Sequence, residues 1–218
     1  MAYDAYIFDL DGTLLNTLPD LARLTNMVLE ERNWPQRTVE EVLSFVGHGG
    51  RYLLSRAIPA GTPDELLDEV FARWRELYPA YGHAMTKPYE GIPEVLDALK
   101  ERGAKLAVLS NKFDAAVGQV IAEHFPGVFD IARGECEEIP RKPDPAGLRM
   151  VMRQLGVAPE RVAYVGDSVT DVRTALNAGL DCVGVLWGFR DRQLLLDTGA
   201  KYIAAVPDDV LRVAEKHG

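Results

Sequence analysis

The chain has 218 residues, 47% of them apolar, enough for a real core in one large domain or in a core carrying a smaller second one. Lys and Arg number 24 against 33 Asp and Glu, a formal charge of -9, which opposes any general hold on nucleic acid or an anionic membrane. An anionic substrate must therefore be attracted locally, by a metal, a few placed cations or backbone N–H groups.

The first predicted element is the apolar run Tyr6, Ile7, Phe8, ending in Asp9 and Asp11. Side chains at i and i+2 of an extended strand leave on one face, so the two carboxylates start as neighbours. Unless something offsets their repulsion, one acid binds a proton or the backbone turns away.

Residues 15–84 read differently, as about four helices without a convincing strand. Leu21, Leu24, Thr25 and Val28 share one face; Leu66, Val70, Phe71, Trp74, Leu77 and Tyr81 make a longer one. Pro35 and the PAGTP run at 59–63 punctuate the segment. The Trp74 and Tyr81 stripe is expected in the bundle core rather than as a ligand platform.

From Tyr89 onward helical and strand patterns alternate. Ile92, Val95, Leu96 and Leu99 mark a helix stopped by Gly103; KLAVLS is a strand; Asp114 is expected to cap a helix carrying Val117, Val120 and Ile121. FDIARG is a further strand, 145–155 a helix closed by Gly156, and RVAYVGD a strand. A helix through Val172, Ala175 and Leu176 ends at Gly179, then come DCVGVLWG, YIAAV and a final helix from Asp208. Uniformly apolar strands, each followed by a helix, indicate a parallel sheet covered on both faces. The expected fold class is α/β: a doubly wound, Rossmann-like parallel sheet core (1–15 and 86–218) with an inserted all-helical domain (16–85), whose two chain crossings could act as a hinge.

Cys136 and Cys182 make no CxxC pair, and His48, His83, His124 and His217 make no HExxH or HxxxH pattern, which argues against zinc. The cysteines read as reduced thiols of a cytosolic protein, although two cysteines also permit one bridge. With no signal-like start and no apolar run near the ~18 residues that span a bilayer, the chain is expected to be soluble and cytoplasmic, with no membrane or nucleic-acid partner.

Chemistry gathers just after the strands: Asp9, Asp11, Gly12 and Thr13 after the first, Ser110, Asn111 and Lys112 after the next, and Asp167 with Asp171 after RVAYVG. In an open parallel sheet these carboxyl ends face one edge, where ligands bind. Helix capping explains Ser168 and Asp114 but leaves Asp9 and Asp11 unexplained. Acids gathered without histidine or cysteine suit a hard cation such as Mg2+, which commonly takes one or two carboxylates with waters and a substrate phosphate.

The stretches FDLDGTL, LSNK, RKPDP and GDSVTD resemble, in type, order and spacing, the four motifs of haloacid dehalogenase superfamily phosphatases, and the likeness covers essentially the whole chain. The helical insertion is similar to the cap domain of that group, and FVGHGG with LWGFR is most similar to phosphoglycolate phosphatases. Asn16 departs from the pattern, many relatives having Asp there, which bears on hinge contacts rather than on the reaction. The resemblance implies a Mg2+-dependent phosphate monoester hydrolase acting on a small phosphorylated substrate. Asp9 would be the nucleophile forming an aspartyl phosphate, and Asp11 the acid and base. Ser110 and Asn111 would contact phosphoryl oxygens, Lys142, with Lys112 as substitute, would offset charge, and Gly12 and Thr13 would lie close to the phosphoryl group. Asp9, Asp167, Asp171 and Asp11, the last through its backbone carbonyl, would serve the metal, Asp171 either supporting it or orienting Lys142. In the insertion, Gly49 and Gly50 before a helix start, with Arg51, would receive a small carboxylate, as in 2-phosphoglycolate; a solvated Arg51 is nearly as reasonable. The oligomer would be a monomer or homodimer.

Two rivals stand beside this reading. A sugar phosphomutase related to β-phosphoglucomutase shares the Asp pair, but the first helix of the insertion has no histidine of the sort those enzymes commonly carry. A phosphoreceiver signalling module has a comparable acidic cluster, yet is about half this length and carries its phosphoacceptor on a later strand.

Overall fold

The computed structural model describes residues 3–213; His217 lies outside them. Six strands form one sheet whose described pairings are all parallel, in the spatial order β5 (Ile131–Glu135), β4 (Lys105–Phe113), β1 (Ala5–Phe8), β6 (Val162–Gly166), β7 (Asp181–Val185), β8 (Tyr202–Ala204). Alternation along the strands divides the core. Ala5 and Ile7, Ala107 and Leu109, and Val162 and Tyr164 pack on one side; Tyr6 and Phe8, Leu106 and Val108, and Ala163 and Val165 pack on the other. Both faces are buried, which is why the strands read as unbroken apolar runs. Helices α5 (Ile92–Glu101), α6 (Asp114–His124) and α10 (Asp208–Val213) cover one face, and α7 (Ala146–Leu155), α8 (Val169–Ala178) and α9 (Arg192–Thr198) the other. The α/β class read from the sequence is the class observed.

Between β2 (Leu15–Asn16) and β3 (Lys87–Pro88), which pair antiparallel, lie α1 (Leu18–Glu30), α2 (Val39–Phe45), α3 (Gly50–Ala57) and α4 (Asp64–Tyr81). Their side chains form a third apolar cluster containing Leu21, Leu24, Val28, Leu54, Leu67, Val70, Trp74 and Tyr78. Asn16 pairs in register with Lys87 at the two crossings. The buried Asp20 ties them further, accepting from Met85 N at 2.8 Å and Thr86 Oγ1 at 2.8 Å.

Three local expectations are corrected. The buried face of α4 is Leu67, Val70, Trp74 and Tyr78, while Tyr81, its last residue, is exposed beneath the Arg23 guanidinium at 5.5 Å. Asp114 does not cap α6: its Oδ1 accepts from Gly134 N at 2.7 Å and Arg133 Nε at 3.1 Å, because the adjacent strand presents better-placed donors. Helix α9, absent from the sequence reading, is a single short segment between the Asp191 cap and Gly199; with Leu195 as its one buried side chain it leaves no apolar period to detect.

Candidate active site

The chain runs from β1 outward through β4 to β5, then returns to β6 on the other side of β1. The winding direction reverses between β1 and β6, and a crevice opens outside the carboxyl ends at such a reversal. Asp9 leaves β1 and Asp167 leaves β6 at that point, with Asp9 N donating to Val165 O at 2.8 Å. Gly12 then turns the chain at φ +89°; a Cβ there would collide with the Asp167 carboxylate.

β1 ends at Phe8, before both acids of the opening pair, and the two carboxylates meet different lysines. Lys142 Nζ lies 2.9 Å from Asp9 Oδ1, whereas Lys112 Nζ lies 2.9 Å from Asp11 Oδ1 and 3.2 Å from its Oδ2. Each carboxylate thus faces a different buried ammonium, Asp9 sharing Lys142 with Asp171. Burial works against both ammonium groups, yet Asp171 and Asp9 raise the pKa of Lys142 above its ordinary value, and Asp11 with Tyr78 does the same for Lys112.

Asp171 sits in the first turn of α8 and is fully buried. Its Oδ1 accepts from Lys142 Nζ at 2.7 Å and Tyr164 OH at 3.2 Å; its Oδ2 accepts from Ser168 N at 3.0 Å and Ser168 Oγ at 2.6 Å. With both oxygens engaged, it orients Lys142. Asp167 is held by Thr13 Oγ1 at 3.3 Å and Phe189 N at 2.7 Å.

Carboxylate oxygens of Asp9, Asp167 and Asp171 lie within 4.8 Å of one another. Three acids thus face one ammonium, Lys142. Asp9 is pushed up to about 7 by burial and then by Asp171, and Asp167 well above the ordinary range by burial, Asp171 and Asp9. The Lys142 ammonium is near Asp9 Oδ1 but not aligned to donate, and that buried oxygen has no hydrogen-bond partner. An oxygen-only donor set with excess negative charge and an orphaned carboxylate oxygen fits a hard divalent cation. The Asp11 side chain stands outside this cluster, on Lys112.

Ser110, Asn111 and Lys112 lie in the last part of β4, which runs three residues past KLAVLS. Ser110 lines the cavity. The Asn111 carboxamide is committed elsewhere: Nδ2 donates to Gly47 O at 3.1 Å and Lys142 O at 3.2 Å, and Oδ1 accepts from Lys142 N at 2.7 Å. It therefore fastens the helical insertion to the Lys142 segment. Gly49 and Gly50 line the cavity as expected, but Arg51 does not. Its guanidinium pairs with Asp68 at 2.7 Å and Asp64 at 3.3 Å and borders a separate cleft with Arg75 and Arg141. Arg51 is a residue of the next turn of sequence, pulled to the acids of α4.

The cavity above Asp9 has a volume of about 50 Å³ and an apolar roof of Leu21, Val46, Leu53 and Trp74. Trp74 is thus both bundle core and cavity wall. Sequence reasoning missed the segment after β7. Trp187 Nε1 donates to Thr13 O at 2.9 Å, Gly188 packs where a Cβ would collide with Asp167 and Gly12 O, and Phe189 and Arg190 line the cavity. The available signal was position: these residues follow an apolar strand at the same sheet edge as the other motifs.

A family model described as haloacid dehalogenase-like hydrolase matches residues 6–185. The chain belongs to the haloacid dehalogenase-like hydrolases. Curated relatives of this haloacid dehalogenase-like chain include a Pseudomonas putida protein named phosphoglycolate phosphatase, 35% identical over 84% of this chain and 69% of the relative. Another of the same name, from Mannheimia succiniciproducens, is 33% identical over 94% of this chain and 96% of its own. A solved structure from Lactobacillus delbrueckii subsp. bulgaricus is 32% identical, with TM-score 0.91 over 98% of this chain and 99% of that one. This haloacid dehalogenase-like hydrolase is a phosphatase. Among its described residues no helix is long and apolar enough to cross a membrane.

Proposed function

We propose that the chain hydrolyses 2-phosphoglycolate to glycolate and phosphate through a phosphorylated Asp9, with Mg2+ as the metal and α1–α4 (residues 16–85) as a cap over the site. The observation that carries the chemistry is that Asp9 lies in the acidic cluster with Asp167 and Asp171, where a bound cation would hold it ionised for attack, while Asp11 stands outside that cluster with its side chain left for proton transfer. An Asp9 oxygen attacks phosphorus in line while the ester P–O bond breaks, and Asp11 delivers a proton to the departing alkoxide. Asp11 then takes a proton from water as that water attacks phosphorus and releases Asp9. Lys142, fixed by Asp171, offsets charge on Asp9 and on the phosphoryl oxygens, and Ser110 supplies a hydroxyl donor. Asp9 and Asp167, with the Asp11 carbonyl, would hold the metal, which when bound supplies electrostatic stabilisation of the phosphoryl oxygens. The apolar roof excludes water around these charges.

The names of the relatives support the substrate. Assaying phosphoglycolate, sugar phosphates and pyrophosphate with Mg2+ tests the substrate: faster turnover of either of the latter rejects it while leaving the phosphatase class standing. Acid quench during turnover followed by peptide mass analysis tests the intermediate, which should place a phosphoryl group on Asp9 and be absent in Asp9→Asn.

A further inference from the structure

The described residues that line the cavity include just two cations, Lys112 and Arg190. Lys112 is committed to Asp11 through both carboxylate oxygens. Arg190 is different. It stands on the segment that follows β7, and its guanidinium donates only to backbone carbonyls: Nη2 to Val46 O at 3.0 Å, Nη1 to Phe189 O at 3.0 Å and Nη1 to Leu43 O at 3.5 Å. Two of these acceptors lie at the carboxyl end of α2, where unfilled carbonyls and the negative helix end favour a cation. Neutral carbonyls hold the group in place; among the described residues Arg190 makes no direct ion pair and its Nε–H has no acceptor, and the acid that feels its charge, Asp167, is already held by Thr13 and Phe189.

A half-buried guanidinium on a cavity wall, with no direct ion pair, is placed to receive an anionic group of a ligand. The adjacent Phe189 N–H holds Asp167 at 2.7 Å, so Arg190 stands beside the phosphoryl end of the cavity, within reach of a second group on a short ester. From this guanidinium on the cavity wall, held by carbonyls and free of any ion pair, and resting on the phosphatase reading above, we infer that Arg190, and not Arg51, is the specificity-determining residue: it binds a carboxylate carried by the organic part of the substrate. A planar guanidinium with a free Nε–H suits that anion better than phosphate alone would require. The class of substrate is thus short phosphate monoesters bearing a carboxylate. Because the same guanidinium grips Val46 and Leu43, occupancy of the subsite and the position of α2 over the cavity are linked.

The test compares kcat/KM for three esters, 2-phosphoglycolate, 3-phosphoglycerate and the neutral-tailed 2-hydroxyethyl phosphate, in the wild type, Arg190→Gln and Arg190→Lys, all with Mg2+. The quantity read is the ratio of a carboxylated ester to the neutral one, which is insensitive to the fraction of folded enzyme. Arg190→Gln should lower that ratio about 10- to 100-fold, the scale of a lost charge-assisted hydrogen bond, and Arg190→Lys should keep part of it. If the wild type favours 3-phosphoglycerate and Arg190→Gln removes that preference, the inference stands and the phosphoglycolate assignment falls. If the wild type favours phosphoglycolate and Arg190→Gln slows all esters in proportion, Arg190 is only a strap to α2, and the inference falls while the assignment stands. A wild type indifferent to the carboxylate overturns both.

Discussion

Lys112 Nζ sits 2.9 Å from Asp11 Oδ1, and this contact, made by the strand beside β1, swings the second aspartate away from the first. In the mechanism proposed above Asp11 serves proton transfer, and the effect of its loss should then depend on the leaving group. Asp11→Asn is expected to lower kcat on an alkyl phosphate by about 10²- to 10⁴-fold. With p-nitrophenyl phosphate, whose phenolate leaves without a proton, the first step should survive and the hydrolytic step should not. Stopped-flow recording should then show a burst of nitrophenolate comparable to the enzyme concentration, followed by a stall. Equal slowing of both substrates with no burst would refute the role.

On the other side of Asp9, Lys142 is shared between Asp9 and the fully buried Asp171. Removing one partner of a buried ion pair leaves an unpaired charge, typically at about 3–5 kcal/mol. Lys142→Met should lose stability on that scale in urea unfolding, and Asp171→Asn in the same chain should recover more than half of it. Additive losses in the double variant would mean that the pair is not coupled.

The pKa of Asp9 is raised to about 7 by burial and by Asp171. A carboxyl whose folded pKa lies above its unfolded value favours the folded state below the unfolded pKa, near 3.8, and that contribution is lost as pH climbs through about 7. The chelated protein should therefore lose thermal stability between about pH 4 and pH 7. A divalent ion competes with the proton for the same oxygens. The rise in Tm on adding Mg2+ should grow from pH 5 to pH 8; a rise that is constant or shrinks with pH would count against a carboxylate site.

The sheet was legible because each core strand is buried on both faces and so carries an uninterrupted apolar run, and the motif residues were legible because they follow those runs at one edge. What the pattern could not carry was the direction of long side chains. Nothing in the residues around Arg51 distinguishes a ligand to the cavity from a partner of Asp64 and Asp68; that is decided by how α3 packs on α4. Asn111 likewise reads as a free donor until Gly47 and Lys142 are brought beside it. Residues 187–190 carry no chemical signal of their own, since their role comes from contacts with Thr13, Asp167 and α2, all distant in sequence.

Gly188 offers a direct test of that segment. A Cβ at this position would lie within 2.6 Å of the Asp167 Oδ2 and would also strike Asp167 Cβ and Gly12 O. The obstacle is backbone and a short buried side chain, neither of which swings aside, so Gly188→Ala must displace the loop or the carboxylate. Overpacking of this kind costs about 1–3 kcal/mol. The larger effect should fall on the metal, because the shift moves Phe189 N–H off Asp167 and moves Asp167 itself. The concentration of Mg2+ giving half-maximal activity should rise by about tenfold or more, the usual scale when a partner supporting a metal ligand is disturbed, while saturating Mg2+ restores much of kcat. A variant with unaltered Mg2+ dependence would show that the close approach of this loop to Asp167 has no part in metal binding.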